Sequence, residues 1–238
     1  MISGGERHAV TVSGATLALV LHLPETTGGA DCIVACHGLH ASKDSDKYLL
    51  LAAEMPLAGL ALARFDFRGC GESTGVEAET TVATRLADAR EVLARLVSHP
   101  RLSGRFGLLG SSMGGYVVLH LAAQRGDGLP VVTWNAPSRL DTLRVDPAAG
   151  PGEALVSEVR TGHYVEAPRG VRRHLVIQAE ADDVVPPEHG RALYARAGEP
   201  RDLVTMPGAD HRLTDPRHRR DAVVRSLEWF RRFLKELA

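Results

Sequence analysis

At 238 residues and 44% hydrophobic content, the chain can bury a sizeable core and falls in the size range of one α/β domain. Its 28 lysines and arginines nearly balance 29 aspartates and glutamates, so there is no global basic field to gather nucleic acid. Aromatic and basic residues do not interleave as they do in single-strand binders, and the composition favours small-molecule chemistry.

Residues 1–10 hold no charged-then-apolar leader, and the most apolar region, 48–65, is interrupted by Glu54, Pro56 and Gly59. No membrane span is expected, and the reading is a cytoplasmic protein. Cys32, Cys36 and Cys70 make neither an even disulfide set nor a close Cys-x-x-Cys pair, and the first two read as core positions on one strand.

Residues 8–13 and 15–24 read as two strands joined at Gly14, an antiparallel edge hairpin. The short apolar run 32–36 marks a strand buried on both faces and ends in His37-Gly38. A helix over 46–58 and a strand over 60–67 follow. Residues 81–98 carry apolar positions at helical period, with Pro100 just beyond. The strand 106–110 runs into a helix over 113–125, and further strands are expected at 129–134, 174–179 and 202–206. Helices are expected at 187–197 and along the C-terminus, where Val223, Leu227, Phe230, Leu234 and Leu237 form one stripe. Strands alternating with helices predict a mostly parallel sheet covered on both faces. The stretch 138–172, rich in proline and glycine around one helix at 153–161, reads as a small lid insertion. Arg212, Arg217, Arg219 and Arg220 read as a solvated helix face.

The stretch LLGSSMGGYVV at 108–118 places Gly110-x-Ser112-x-Gly114 between a strand and a helix, the pattern of a nucleophile elbow. Ser111 is the competing hydroxyl but lacks symmetric glycine flanks. A serine needs a base to take its proton and a third group to orient that base. His211 follows the strand LVTMPG, and Asp182 and Asp183 follow the strand HLVIQA, with Glu180 as a further acid and Asp210 too close to its neighbour His211. Serine, acid and histidine in that chain order suit an elbow-type hydrolase. The backbone N–H groups of Met113 and Leu39 are the expected oxyanion donors.

Five segments together resemble one superfamily: His37-Gly38, FDFRGCGES at 65–73, GSSMGG at 110–115, D-x-VVP at 182–186 and ADHR at 209–212. The chain looks like an α/β-hydrolase, similar to small bacterial serine esterases related to cinnamoyl and feruloyl esterases and to monoacylglycerol lipases. The resemblance implies an eight-stranded sheet with the first strand pair at one edge, and a Ser112, Asp182, His211 triad. It also implies a structural turn at 65–73 in which Asp66, Arg68 and Ser73 bond locally. Cys70 stands where relatives often have histidine, and Ala179 where many have glycine.

The expected activity is hydrolysis of small carboxylic esters of small or aromatic acyl groups, with no metal or organic cofactor. Thioester hydrolysis, acyl transfer, peptide hydrolysis and a non-catalytic binder on the same fold are the competing readings. Pocket walls are expected at Leu39, His40, Trp134, Leu140, Leu143, Leu155 and Tyr164. A homodimer is left open.

Overall fold

The structure, a computed structural model, describes residues 4–26, 28–142 and 152–237. Strands β1 (Glu6–Val12) and β2 (Ala15–His22) form an antiparallel hairpin that turns at Ser13 and Gly14, both at positive φ. There follow β3 (Ala30–Cys36), α1 (Asp46–Leu57), β4 (Ala61–Phe65), α2 (Val82–Val97), β5 (Leu102–Ser111), α3 (Met113–Arg125) and β6 (Val131–Trp134). The chain closes with α4 (Glu153–Arg160), β7 (His174–Ala179), α5 (Pro187–Arg196), β8 (Arg201–Met206) and α6 (Pro216–Phe233).

The eight strands make one sheet in the order β1-β2-β4-β3-β5-β6-β7-β8. β2 pairs antiparallel with both β1 and β4, so only β1 is the edge of the expected hairpin; the other pairings are parallel. β5 starts earlier than its apolar run because its exposed first residues still reach β3 across an irregular register at Ala30 and Cys32. β6 starts later, since Pro130 has no N–H to give the ladder and offers its carbonyl to Leu108 instead.

From β3 the chain steps outward to β4 and then crosses back over β3 to β5. The carboxyl ends of β3 and β5, in register at Cys36 and Gly110, therefore flank the point where strand order reverses. Open α/β sheets bind ligands in such a crevice.

Apolar side chains of α2 and α3 pack on one sheet face, and those of α1 and α6 on the other. The amphipathic period predicted for 81–98 is seen in α2, where Val82, Leu86, Ala89, Val92, Leu93 and Leu96 are buried. Cys32 and Cys36 lie in the core as expected, and all three cysteines are free. Among the described residues no helix is long and apolar enough to cross a membrane.

The two ends of the 138–172 stretch are bonded to each other, and its helix is bonded to α2. Ala167 N–H donates to Ser138 O at 2.9 Å, and Leu140 N–H to Val165 O at 3.0 Å. Glu158 on α4 accepts from the N–H groups of Val82 (2.6 Å) and Ala83 (3.1 Å), two of the donors that the start of α2 leaves open.

His37 and His174 are buried and His120 is half-buried, and burial favours the neutral form of all three. Burial lowers His174 to about 3 and His120 to about 4; burial and then Arg85 lower His37 to about 4. In the unfolded chain a histidine titrates near 6.5. The unfolded state therefore binds protons that the native state refuses between 6.5 and about 4. Stability is full above that window and falls through it, by about 1.4 kcal/mol per pH unit for each histidine. Urea midpoints should be clearly lower at pH 5 than at pH 7.5; equal midpoints would contradict neutral burial.

Candidate active site

β5 ends at Ser111 and α3 begins at Met113, so Ser112 makes the turn alone, at φ 53° and ψ −125°. For a residue with a Cβ such a backbone costs roughly 1–3 kcal/mol and persists only where its surroundings enforce it. The flanking glycines are required by close approach. A Cβ on Gly110 would lie 2.3 Å from Gly114 O, and one on Gly114 would lie 2.0 Å from Cys36 O. Ser112 N–H donates to Trp134 O at 2.8 Å, which ties the turn to β6.

His211, on the loop after β8, places Nε2 3.1 Å from Ser112 Oγ. Its Nδ1 lies 2.7 Å from Asp182 Oδ2. The other oxygen of Asp182 accepts the N–H groups of Val184 (3.0 Å) and Val185 (2.7 Å), which fixes the carboxylate on a tight turn after β7. Asp182 is buried and Asp183 exposed, so the choice between the two adjacent acids falls on Asp182 in geometry. Asp210 turns away and accepts Thr214 N–H at 2.7 Å. Glu180 is exposed, and Ser111 is buried with its Oγ accepting from Lys47 Nζ at 2.7 Å. The arrangement can take a proton from Ser112 Oγ and hold the resulting imidazolium against a carboxylate.

Asn135 holds the His211 loop, and the sequence reading missed it. It follows β6 at φ 51°, a conformation that asparagine tolerates better than most residues. Its Nδ2 donates to His211 O at 2.9 Å, and its Oδ1 accepts Ala179 N–H at 2.7 Å. One amide thus clamps the histidine loop to the end of β7. The available signal was a polar residue directly after a strand's carboxyl end. Asn135→Ala should lower kcat by about 10²-fold with a much smaller change in KM, because a displacement near 1 Å is enough to spoil proton transfer. Steady-state kinetics on any turned-over ester checks this.

A cavity of about 890 Å³ opens over Ser112. Leu39 and Met113 lie on its wall, and the Gly38 backbone sits against Ser112, close enough that a Cβ there would be 3.1 Å from Ser112 Cβ. Met113 is the first residue of α3, where a helix leaves its N–H groups unpaired and its dipole is positive. His37 braces the facing loop: its Nδ1–H donates to Gly38 O at 2.8 Å, and its Nε2 accepts Phe67 N–H at 3.1 Å.

Comparison with known proteins gives the family. Residues 30–139 match the family described as serine aminopeptidase, S33, and residues 152–237 match the prolyl oligopeptidase family. The uncharacterized protein Rv2307c of Mycobacterium tuberculosis is 31% identical over 222 residues, covering 91% of this chain and 74% of that protein. The chain belongs to the α/β-hydrolase superfamily of serine hydrolases. The fold is shared with Est1E from Butyrivibrio proteoclasticus, solved with ferulic acid bound: TM-score 0.78, 20% identity, 97% of this chain and 98% of that one. A shorter match, 39% over 67 residues, relates 28% of the chain to 21% of the mitochondrial palmitoyl-protein thioesterase ABHD10 of Mus musculus.

In this α/β hydrolase the 65–73 segment is a turn bonded locally through Asp66 and Ser73, whereas Arg68, expected to bond locally, reaches Asp88 on α2 and Asp66 also holds Lys43. Asp66 accepts from Lys43 N–H (2.7 Å), Lys43 Nζ (2.9 Å) and Glu72 N–H (2.9 Å). Ser73 Oγ donates to Asp66 O at 2.7 Å, and Arg68 Nε to Asp88 at 2.9 Å.

Of the expected pocket walls, Leu39, His40, Leu140 and Leu155 line the cavity. Trp134 does not. Its ring lies in the core beside α6, with Nε1 donating to Ser226 Oγ at 3.0 Å, because β6 is buried on both faces and Trp134 points away from the crevice. Tyr164 also stands off the cavity: its ring meets His120 edge-on, and its carbonyl accepts from Tyr116 Oη at 2.7 Å. Leu143 lies outside the described residues. The solvated arginine face is half right. Arg217 is exposed and pairs with Asp215, whereas Arg212 and Arg219 line the cavity.

Proposed function

We propose that this protein hydrolyses carboxylic esters of small or aromatic acyl groups through an acyl-enzyme on Ser112. The observation that carries the reading is the hydrogen-bonded chain from Asp182 through His211 to Ser112, opening on a cavity walled by Leu39, Leu140 and Leu155. Ser112 Oγ attacks the ester carbonyl while His211 Nε2 accepts its proton. The N–H groups of Leu39 and Met113 take the developing oxyanion, and donors of this kind are worth about 10² to 10³ in rate each. His211 then gives its proton to the departing alcohol, with Asp182 stabilising the imidazolium. Water, deprotonated by the same histidine, releases the acid. Three free buried cysteines suit the cytoplasm as the setting.

Thioester hydrolysis is the second reading, favoured by the local likeness to a palmitoyl-protein thioesterase. A panel of p-nitrophenyl esters of graded acyl length and aromaticity, run beside matching acyl-thioesters, separates the two. Esters turned over with the higher kcat/KM support the first reading; thioesters alone support the second. Turnover of neither would leave no hydrolase of acyl groups.

A further inference from the structure

The cavity over Ser112 has two unlike walls. Leu39, Leu140, Leu155 and Val159 make one of them largely apolar, with the exposed Arg160 beside Val159 at the end of α4. The start of α1, the loop bearing His211 and the first turn of α6 make the other, and they bring Lys47, Arg212 and Arg219 respectively to the lining. Lys47 Nζ donates to Ser111 Oγ, the residue before the nucleophile, and among the described residues it has no carboxylate in ion-pair contact. Arg212 is exposed and likewise pairs with no acid among the described residues.

The acids nearby are engaged. Asp46 holds Arg219 at 3.1 Å, Asp141 holds Arg139 at 2.7 Å, Asp182 is bonded to His211, and Asp210 to Thr214. Asp183 stands exposed at the rim. Burial, then Arg212 and Arg219, lower the Lys47 ammonium to about 8, against a smaller opposing pull from Asp182 and Asp210. A half-buried ammonium crowded by guanidiniums is costly to keep charged unless an anion joins it.

We propose that Lys47 and Arg212 form a subsite for an oxyanion, a carboxylate or a phosphate, carried on the leaving group of the substrate. The assignment rests on the Ser112 hydrolase reading. His211 Nε2 must protonate the departing oxygen or sulfur, so that atom leaves toward the His211 loop, whose next residue is Arg212. The acyl chain takes the apolar wall. Ser112 Oγ bonds to the acyl carbon, the bond from that carbon to the leaving atom breaks, and the proton taken from Ser112 passes through His211 to that atom. The remote anion stays ionised throughout, held by charge-assisted hydrogen bonds from the two cations.

The test uses three aryl butyrates that differ only at a remote position: 3-(carbamoylmethyl)phenyl, 3-(carboxymethyl)phenyl and 3-(phosphonomethyl)phenyl butyrate. At least one anionic ester should exceed the amide in kcat/KM by about 10- to 100-fold, the worth of a charge-assisted hydrogen bond, and the better one names the anion. That ratio should fall toward 1 in Lys47→Gln or in Arg212→Gln, the second being an exposed residue whose replacement spares the fold. Equal kcat/KM for all three esters, or a ratio unchanged in both variants, overturns the subsite. Calorimetric titration of Ser112→Ala with 3-hydroxyphenylacetate and benzylphosphonate, against 3-hydroxyphenylacetamide, reads the subsite without turnover. Anion binding that is lost on adding Arg212→Gln, with no ester hydrolysed by the wild type, would sink the hydrolase reading and keep the subsite. Ester turnover without any anion preference does the reverse.

Discussion

Ser112→Ala should lower kcat for p-nitrophenyl butyrate by about 10⁶-fold, the scale seen when a triad nucleophile is removed and only binding and oxyanion donors are left. The fold should survive. The side chain makes one hydrogen bond, to His211, and the elbow is held by backbone packing among Gly110, Gly114 and the end of β3. Alanine inherits the same positive φ, so the variant gains no relief that would rearrange the turn. Residual turnover within tenfold of wild type would contradict the assignment and point to Ser111, whose hydroxyl is occupied by Lys47 in this structure.

The second large effect concerns the acid. Asp182→Asn should cost about 10⁴-fold in kcat, because the amide can present N–H to Nδ1 and stabilise the wrong imidazole tautomer. The turn itself would persist, since an asparagine oxygen can still accept from Val184 and Val185. Asp183→Asn, one residue on and exposed at the cavity rim, should change kcat by less than about threefold, because that carboxylate makes no contact with His211. Kinetics of the pair decides the matter. A large loss in Asp183→Asn with little in Asp182→Asn would reverse the roles.

That Ser112, Asp182 and His211 would meet was legible in the sequence because each lies within a few residues of a strand's end, inside a short motif whose backbone demands are local: glycines before and after Ser112, a turn after Asp182, a loop around His211. The sheet was equally legible, since its strands are apolar runs separated by helical periods. Other features depend on contacts distant in the chain. Trp134 ends a strand buried on both faces, where no polar alternation tells which way a side chain points, and it faces α6 rather than the crevice. Lys47 and Arg219 look like ordinary surface cations in their own helices. Only packing of the α1 start against the first turn of α6 brings them to the cavity, with Asp46 bound to Arg219 across that seam. Asn135 escaped notice because its role lies in joining β7 to the His211 loop.

The central claim is that Ser112 is an activated nucleophile, and covalent labelling tests it most directly. Incubation with a fluorophosphonate followed by peptide mass spectrometry should find one adduct, on Ser112, absent from Ser112→Ala and slowed in Asp182→Asn. No adduct on the wild type, or an adduct that persists in Ser112→Ala, would contradict it.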